Sequence, residues 1–127
     1  MKNFLLLLFT LSTVISCTAP KHSMKYNKNR EMLKELFLYK CISYGYPEIE
    51  LSKYDNSAAT YLELSHYAPS AYSKIDSLAK VFVSKIEYKD TYYEDQKTKG
   101  IFMLSLEYFK SKEFNNFIES LDRYMSK

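Results

Sequence analysis

The chain has 127 residues, of which 46% are hydrophobic and 17% aromatic, and its formal net charge is +3. A chain of this length forms one domain that buries about two-thirds of its unfolded surface, and so small a charge, with acidic and basic residues interleaved, excludes nucleic acid as an expected partner. It contains 2 glycines and 3 prolines, too few for the turns that sandwiches and barrels need roughly every 8–12 residues, so the composition predicts an all-α fold.

The N-terminal segment has the pattern of a secretory signal that ends at a cysteine. Lys2 gives it a positive start, residues 4–16 form an uncharged apolar run, and Cys17 follows. The run is shorter than the roughly 20 residues of a membrane-spanning helix, and the whole pattern is typical of a bacterial lipoprotein. We predict that residues 1–16 are removed and that Cys17 carries the lipid. The alternatives are an ordinary signal peptide and an anchor helix that continues past Cys17.

A lipid on Cys17 would hold the mature protein on the periplasmic face of a membrane, and Thr18 after the cysteine favours the outer membrane. Little ATP or nicotinamide cofactor is present outside the cytoplasm, which argues against kinase and dehydrogenase functions. Residues 17–28 are polar and include Pro20, so we expect them to form a flexible tether. This tether leads into a domain at 29–127.

The domain has the apolar spacing of five amphipathic helices. Their expected bounds are about 29–44, 55–65, 69–86, 101–109 and 111–125. Gly45 and Pro47 end the first helix, as a C-terminal glycine followed by proline does. Asp55 or Asn56 can cap the second helix, and Ser111 caps the fifth. Together these signals predict a compact all-α bundle.

The third helix, which begins at Pro69, has the clearest division into two faces. Its apolar face repeats at steps of three and four residues and consists of Tyr72, Ile75, Leu78, Ala79, Phe82, Val83 and Ile86. Its polar face carries Ser73, Lys74, Asp76, Ser77 and Lys80. The sequence therefore predicts that one face packs on the bundle and that the other meets solvent.

Cys41 is the single thiol that remains if Cys17 bears the lipid, so no disulfide can form within the mature chain. It lies in the apolar stripe of the first helix, together with Leu33, Phe37 and Tyr44. This position predicts that Cys41 is buried as a small hydrophobic residue. A disulfide between two chains is the alternative.

Residues 87–100 (EYKDTYYEDQKTKG) interrupt the helical periodicity. Tyrosine offers a large contact area at low entropic cost and carries a polar tip, so tyrosines among charged residues are typical of a binding surface. The alternative is that some of these rings fold back onto the bundle. The candidate binding residues of this loop are Tyr88, Asp90, Tyr92, Tyr93, Glu94 and Asp95.

No arrangement of residues in the sequence points to catalysis or to metal binding. His22 lies in the tether and His66 in a turn, and no pair of spaced Cys and His can hold zinc. Gly45 and Gly100 are too far apart to form a phosphate-binding loop. A dyad of Cys41 and His66 requires a reactive thiol, which the core position of Cys41 disfavours. We therefore predict no catalytic residues, no metal and no cofactor.

Several short segments occur in an order that is known from one family. They are 38–42 (LYKCI), 57–63 (SAATYLE) and 108–114 (YFKSKEF). Asp55 precedes the segment at 57–63. Four further matching positions lie between 63 and 108, namely Tyr72, Ile75, Asp76 and Leu78. In this order, from Glu35 onward, the chain resembles the immunity proteins that neutralise type VI secretion amidase effectors. Two features depart from the family's pattern. Ser105 stands where members often have a second cysteine, and the loop at 87–100 is rich in tyrosine instead of glycine and serine.

The resemblance implies a small helical periplasmic protein, a homodimer that blocks a papain-like cysteine amidase of peptidoglycan stem peptides. One subunit would lay its third helix against the enzyme, and the other would insert the loop that follows. The helix contacts carried over to this chain are Ser73, Lys74, Asp76, Ser77 and Lys80, and the loop contacts are the six candidate residues of 87–100. The inhibitor would cover the active site and perform no chemistry. The alternatives are a non-catalytic envelope adaptor or structural lipoprotein, and a periplasmic hydrolase.

Overall fold

A computed structural model describes residues 21–87, 89–90 and 97–126. The α-helices of this part are α1 (Lys21–Gly45), α2 (Ser57–Leu64), α3 (Pro69–Ser84), α4 (Ile101–Lys110) and α5 (Lys112–Ser120). Short 3-10 turns lie at Pro47–Ile49, Leu51–Lys53 and Leu121–Tyr124, and two strands of two residues each, β1 (Lys89–Asp90) and β2 (Lys97–Thr98), pair antiparallel. The predicted all-α fold is confirmed. Among the described residues, no helix combines the length and apolarity that crossing a membrane requires.

Helix α1 forms the centre of the bundle and contacts the other four helices. Its buried side chains include Leu33, Leu36, Phe37 and Cys41, which recur at the three- and four-residue steps of an amphipathic helix. Cys41 is a free thiol with 0% of its surface exposed. The prediction that this cysteine is buried in the apolar stripe is confirmed.

The start of α1 differs from the prediction. The helix begins at Lys21 rather than at Asn29, so residues 21–28 of the expected flexible tether at 17–28 are helical. Cys17 lies outside the described residues, and its lipidation remains a prediction.

A polar contact that periodicity does not reveal supports the part of α1 that precedes Asn29. Residues 21–28 carry no apolar stripe, yet the next residue, Asn29, is buried. Its side-chain amide donates to Lys25 O at 2.8 Å, and its Oδ1 accepts from His66 N at 2.7 Å. One asparagine therefore ties the first turns of α1 to the segment that precedes α3.

The aromatic rings of four helices meet at the centre of the core. Phe37 of α1 lies 4.6 Å from Phe114 of α5, measured between ring centroids. Phe82 of α3 stacks on Tyr108 of α4 at 5.0 Å. Such pairs contribute about 0.5–1.5 kcal/mol beyond the burial of their area. Phe37 also lies 5.8 Å from Phe82, and this pair fixes the rotation of α3 against α1, which decides the face of α3 that is left to solvent.

Gly45 ends α1, as predicted, but for a different reason. Its φ is not positive, so it does not form a left-handed cap. A Cβ atom placed at Gly45 would lie 2.5 Å from Ile101 Cγ2 at the start of α4, a distance that packed atoms do not tolerate. Glycine is required at this position because α4 approaches the backbone of α1 closely.

Two predicted helix starts depend on side-chain caps. Ser111 Oγ accepts a hydrogen bond from Phe114 N at 3.0 Å, which confirms the predicted cap of α5. Helix α2 begins at Ser57, and Asp55 Oδ1 accepts from Ser57 N at 2.7 Å, whereas Asn56 makes no side-chain cap. The pKa of Asp55 is lowered, first by the side-chain hydroxyl of Ser57 and next by this backbone hydrogen bond.

The C-terminal residues hold the turn before α3 in place. Ala68 N donates to Tyr124 O at 2.8 Å, and Ser126 N donates to His66 O at 2.8 Å. The predicted fifth helix is therefore shorter than expected, since α5 ends at Ser120 and the chain continues as a 3-10 turn toward this contact. The first residue of α3 is positioned by the last residues of the chain.

Candidate binding face on helix α3

Helix α3 begins at Pro69, where a missing N–H group is harmless. Its buried residues are Ala71, Ile75, Ala79 and Val83, while Tyr72, Leu78 and Phe82 are half-buried against the core. The predicted apolar face therefore points inward, and Ala71 belongs to it although the sequence pattern did not include it. On the opposite side Ser73, Lys74, Ser77 and Lys80 are exposed, and Asp76 is partly exposed. Four of the five polar residues of α3 thus share one accessible side of the helix, and Asp76 lies at its edge toward α1.

The serine hydroxyls of this side are tied to the helix backbone. Ser73 Oγ donates to Pro69 O at 3.2 Å, and Ser77 Oγ donates to Ser73 O at 2.8 Å. Ser84 Oγ donates to Val81 O at 2.8 Å. Each hydroxyl still has lone pairs that can accept a hydrogen bond from a partner. The serines form a shallow polar track whose side chains are already ordered.

Asp76 occupies a different environment from the other polar residues, because it faces α1. Its Oδ1 accepts a hydrogen bond from the Tyr44 hydroxyl and lies 3.3 Å from Lys40 Nζ. Its Oδ2 lies 2.9 Å from Lys80 Nζ. Partial burial works against the charge, but the hydrogen bonds from Tyr44, Lys80 and Lys40 outweigh it and lower the pKa of Asp76 to about 2. We call these four residues the Asp76 cluster.

The two lysines of the Asp76 cluster also flank the ring of Tyr44. Lys80 Nζ lies 5.3 Å and Lys40 Nζ 6.0 Å from the ring centroid, which is within the range of a cation–π contact. Burial and the nearby carboxylate raise the pKa of Tyr44. The cluster therefore fastens the middle of α3 to α1, and it presents to a partner a lysine and an aromatic ring rather than a free carboxylate.

Lys74 lies on the other edge of the face. Its Nζ is 5.9 Å from the ring centroid of Tyr124, and the guanidinium group of Arg123 lies 5.0 Å from the same centroid. The sequence predicted Lys74 as a helix contact. Its link to the C-terminal turn arises only in the folded chain.

The structure describes only part of the candidate loop. Tyr88, Tyr92, Tyr93, Glu94 and Asp95 lie outside the described residues. The backbone of Asp90 pairs with Lys97. The segment predicted as an irregular loop thus has a short antiparallel stem, and it joins the end of α3 to the start of α4.

A groove that the sequence did not predict opens where the loop begins. Its volume is about 570 Å³, and it lies between the end of α3 and α4. The residues that line it are Phe82, Lys85, Ile86, Glu87, Leu104, Glu107, Tyr108 and Ser111. Its apolar residues recur at helical spacing in two separate helices, so each set looked like core in the sequence. Only their packing leaves a concave surface.

The described residues offer no assembled catalytic group. No three His, Cys, Asp or Glu side chains among them come together as metal ligands. Burial raises the pKa of the Cys41 thiol to about 11, opposed in part by the Ser105 hydroxyl, whereas the nucleophilic form of cysteine is the thiolate. His66 is exposed while Cys41 is fully buried.

These features define a small all-α protein whose helix α3 presents an accessible polar face. The family model Tai4, described as type VI secretion system amidase immunity protein, matches residues 31–118. The chain therefore belongs to this family of amidase immunity proteins, which act in the periplasm, and the resemblance seen in the sequence is confirmed. The matched range contains all of α3 and the loop that follows it. No curated protein and no solved structure matches the chain.

Proposed function

We propose that this protein binds a cognate papain-like cysteine amidase effector in the periplasm and blocks its active site. The observation that carries the proposal is the family match across residues 31–118, which includes an accessible polar face on α3 immediately before the 87–100 loop. An inhibitor of this kind acts through the complementary shape and charge of its surface, and it catalyses no reaction itself. The protein is accordingly not an enzyme.

The rigidity of α3 supports a role in occlusion. Its inner face is buried against α1, the aromatic core fixes its rotation, and the Asp76 cluster fastens its middle. A preordered surface loses little conformational entropy when it binds. The exposed side of α3 can therefore pack, as a preordered surface, against the edge of the enzyme's active-site cleft.

The loop supplies the residues that would enter the cleft. Tight interfaces depend on a few buried anchors, among which tyrosine is enriched, and opposite charges increase the rate of capture. We propose Tyr88, Tyr92 and Tyr93 as anchors and Asp90, Glu94 and Asp95 as charge partners. The inhibitor is proposed to act as a homodimer, in which α3 of one subunit and the loop of the other contact the same enzyme.

The location of the protein is part of the proposal. A signal that ends at Cys17, followed by lipidation, would anchor the protein to the periplasmic side of a membrane, with the outer membrane favoured by Thr18. Two or more acyl chains are enough for stable anchoring, since each buried CH₂ contributes about 0.8 kcal/mol. The anchor would keep the inhibitor in the compartment where an incoming amidase cuts peptidoglycan.

An inhibition assay tests the proposed function. Purified protein is titrated into type VI amidase effectors from the same genome acting on peptidoglycan, and the released stem peptides are measured. We expect cleavage by the cognate effector to stop near equimolar amounts. Full activity of every effector at excess protein would leave the envelope adaptor as the better interpretation. Heat-denatured protein provides the control for nonspecific inhibition.

A further inference from the structure

The exposed side of α3 has a defined order of side chains across its width. Ser73, Ser77 and Ser84 follow one another at helical spacing and form its middle line. Lys80 borders this line on the side of α1, and Lys74 and Lys85 border it on the other side, all three being exposed. With a rise of about 1.5 Å per residue, Lys74 and Lys85 are separated by about 16 Å along the axis. The face is a hydroxyl track between two lysine edges.

The positive charge of the lysines on this face exceeds the negative charge of Asp76, the acidic residue of α3. Asp76 is the carboxylate that pairs with Lys80, and it also pairs with Lys40. Two ammonium groups therefore share one carboxylate. No carboxylate in the described part of the chain forms an ion pair with Lys74 or Lys85. The face as a whole keeps an excess of positive charge.

The shape of the face favours a protein partner over a lipid surface. Serine side chains are short, so a facing backbone or side chain can approach the helix closely along the middle line. The exposed large hydrophobic residue on this side is Val81, at 50%. A helix that lies in a membrane interface instead carries Trp, Phe or Leu along its buried side.

We propose that the lysine-edged face of α3 recognises an acidic surface of the amidase, whose carboxylates pair with Lys74 and Lys85 on one edge and with Lys80 on the other. The inference rests on the proposed function and adds the chemistry of the partner surface. Opposite charge on the two proteins steers their encounter and selects among related enzymes. The hydroxyl line allows the two surfaces to close without a steric barrier.

The test measures the association rate with the amidase that the protein inhibits, at several salt concentrations. The double variant Lys74→Glu/Lys85→Glu leaves the Asp76 cluster intact and is the main probe; Lys80→Glu is the second. We expect about a tenfold slower association at low salt for the double variant, and a smaller difference at high salt, because screening removes steering. Lys53→Glu, at an exposed lysine in the 3-10 turn at 51–53 that pairs with Glu50, is the control for a change of charge away from α3.

The outcomes separate this inference from the proposed function. Inhibition by the wild type with unchanged rates for both α3 variants overturns the inference alone. If no amidase is inhibited, the proposed function fails, and an NMR titration of the full chain with a glutamate-rich peptide tests the face by itself. Shifts at Ser73 and Ser77 that the double variant abolishes support the inference. Stronger lysine-dependent binding to phosphatidylglycerol vesicles than to the peptide overturns it.

Discussion

The Asp76 carboxylate links two helices because three donors from both sides converge on it. Tyr44 and Lys40 come from α1, and Lys80 comes from the next turn of α3. Its pKa of about 2 lies below the ordinary value of 3.8. A depressed pKa means that the folded state favours the ionised form, so the carboxylate stabilises the fold above about pH 4 and loses this effect as the pH falls toward 2.

Asp76→Asn should therefore lower the free energy of unfolding by about 2 kcal/mol at neutral pH, an order-of-magnitude value from the change in pKa. Urea denaturation of the wild type and the variant between about pH 2 and pH 7 checks it. The wild-type curve should fall more steeply between about pH 4 and pH 2 than that of the variant. Parallel curves would show that the cluster is energetically neutral.

Ser105 is a second residue whose role depends on a distant part of the chain. It is fully buried in α4, and no described group forms a hydrogen bond of normal geometry with its Oγ. Burial raises the pKa of the Cys41 thiol of α1, and the Ser105 hydroxyl lowers it in part. The structure thus brings together the cysteine of α1 and the position where, by the resemblance, relatives often carry a second cysteine.

Ser105→Cys should form a disulfide with Cys41 in an oxidising compartment. A bond between residues so far apart in sequence should stabilise the fold by about 2–4 kcal/mol. The thermal midpoint with and without reductant, together with mass spectrometry of the thiols, checks this. Cys41→Ser/Ser105→Cys is the control. Two freely alkylated thiols in the folded single variant would show that the side chains do not meet as required.

At the scale of elements, local sequence patterns predicted most of the helices. The features that they did not predict depend on contacts between helices. The two faces of α3 and the Ser111 cap depend on residues three or four apart, so the sequence shows them directly. The early start of α1 depends on Asn29 and His66, which no local pattern connects. The groove beside Phe82 and the partners of Asp76 likewise exist only after two helices pack.

Gly45→Ala tests the close approach of α1 and α4. In an open helix this change is favourable by up to about 1 kcal/mol, but here the new methyl would meet Ile101. We expect a loss of about 1–3 kcal/mol in unfolding free energy. Gly100→Ala is the matched control, since its nearest contact is Met103 Cε at 3.5 Å. Equal stability of the two variants would contradict the packing argument.

Tyr92→Ala and Tyr93→Ala test the proposed anchors of the loop. Removal of a buried tyrosine anchor should weaken amidase binding by about 1–3 kcal/mol and leave the helical circular dichroism unchanged. Binding is measured by calorimetry with the inhibited amidase. Tyr54→Ala removes a tyrosine that is 81% exposed in another part of the molecule and is the control. Wild-type affinity for both loop variants would reject the anchor assignment while leaving family membership intact.

The whole molecule combines a long central helix with a proposed binding face that is distant in sequence from the expected anchor. Helix α1 starts at Lys21, directly after the segment predicted to carry the lipid, and its 25 residues extend for about 37 Å. The end of this helix contacts the start of α4 through Gly45 and Ile101. The proposed anchor and the proposed inhibitory face lie in different parts of the chain, so the two functions should be separable by mutation.

Cys17→Ser tests this separation. Without the thiol no lipid can be attached, so the protein should move from the membrane fraction to the soluble periplasmic fraction, while its inhibition of the amidase in solution stays unchanged. Cell fractionation with immunoblotting and the peptidoglycan assay provide the two measurements. Cys41→Ser, at the buried thiol of α1, should remain in the membrane fraction and serves as the control. Membrane retention of Cys17→Ser would identify residues 4–16 as an uncleaved anchor, and a loss of inhibition in solution would show that the two functions are coupled.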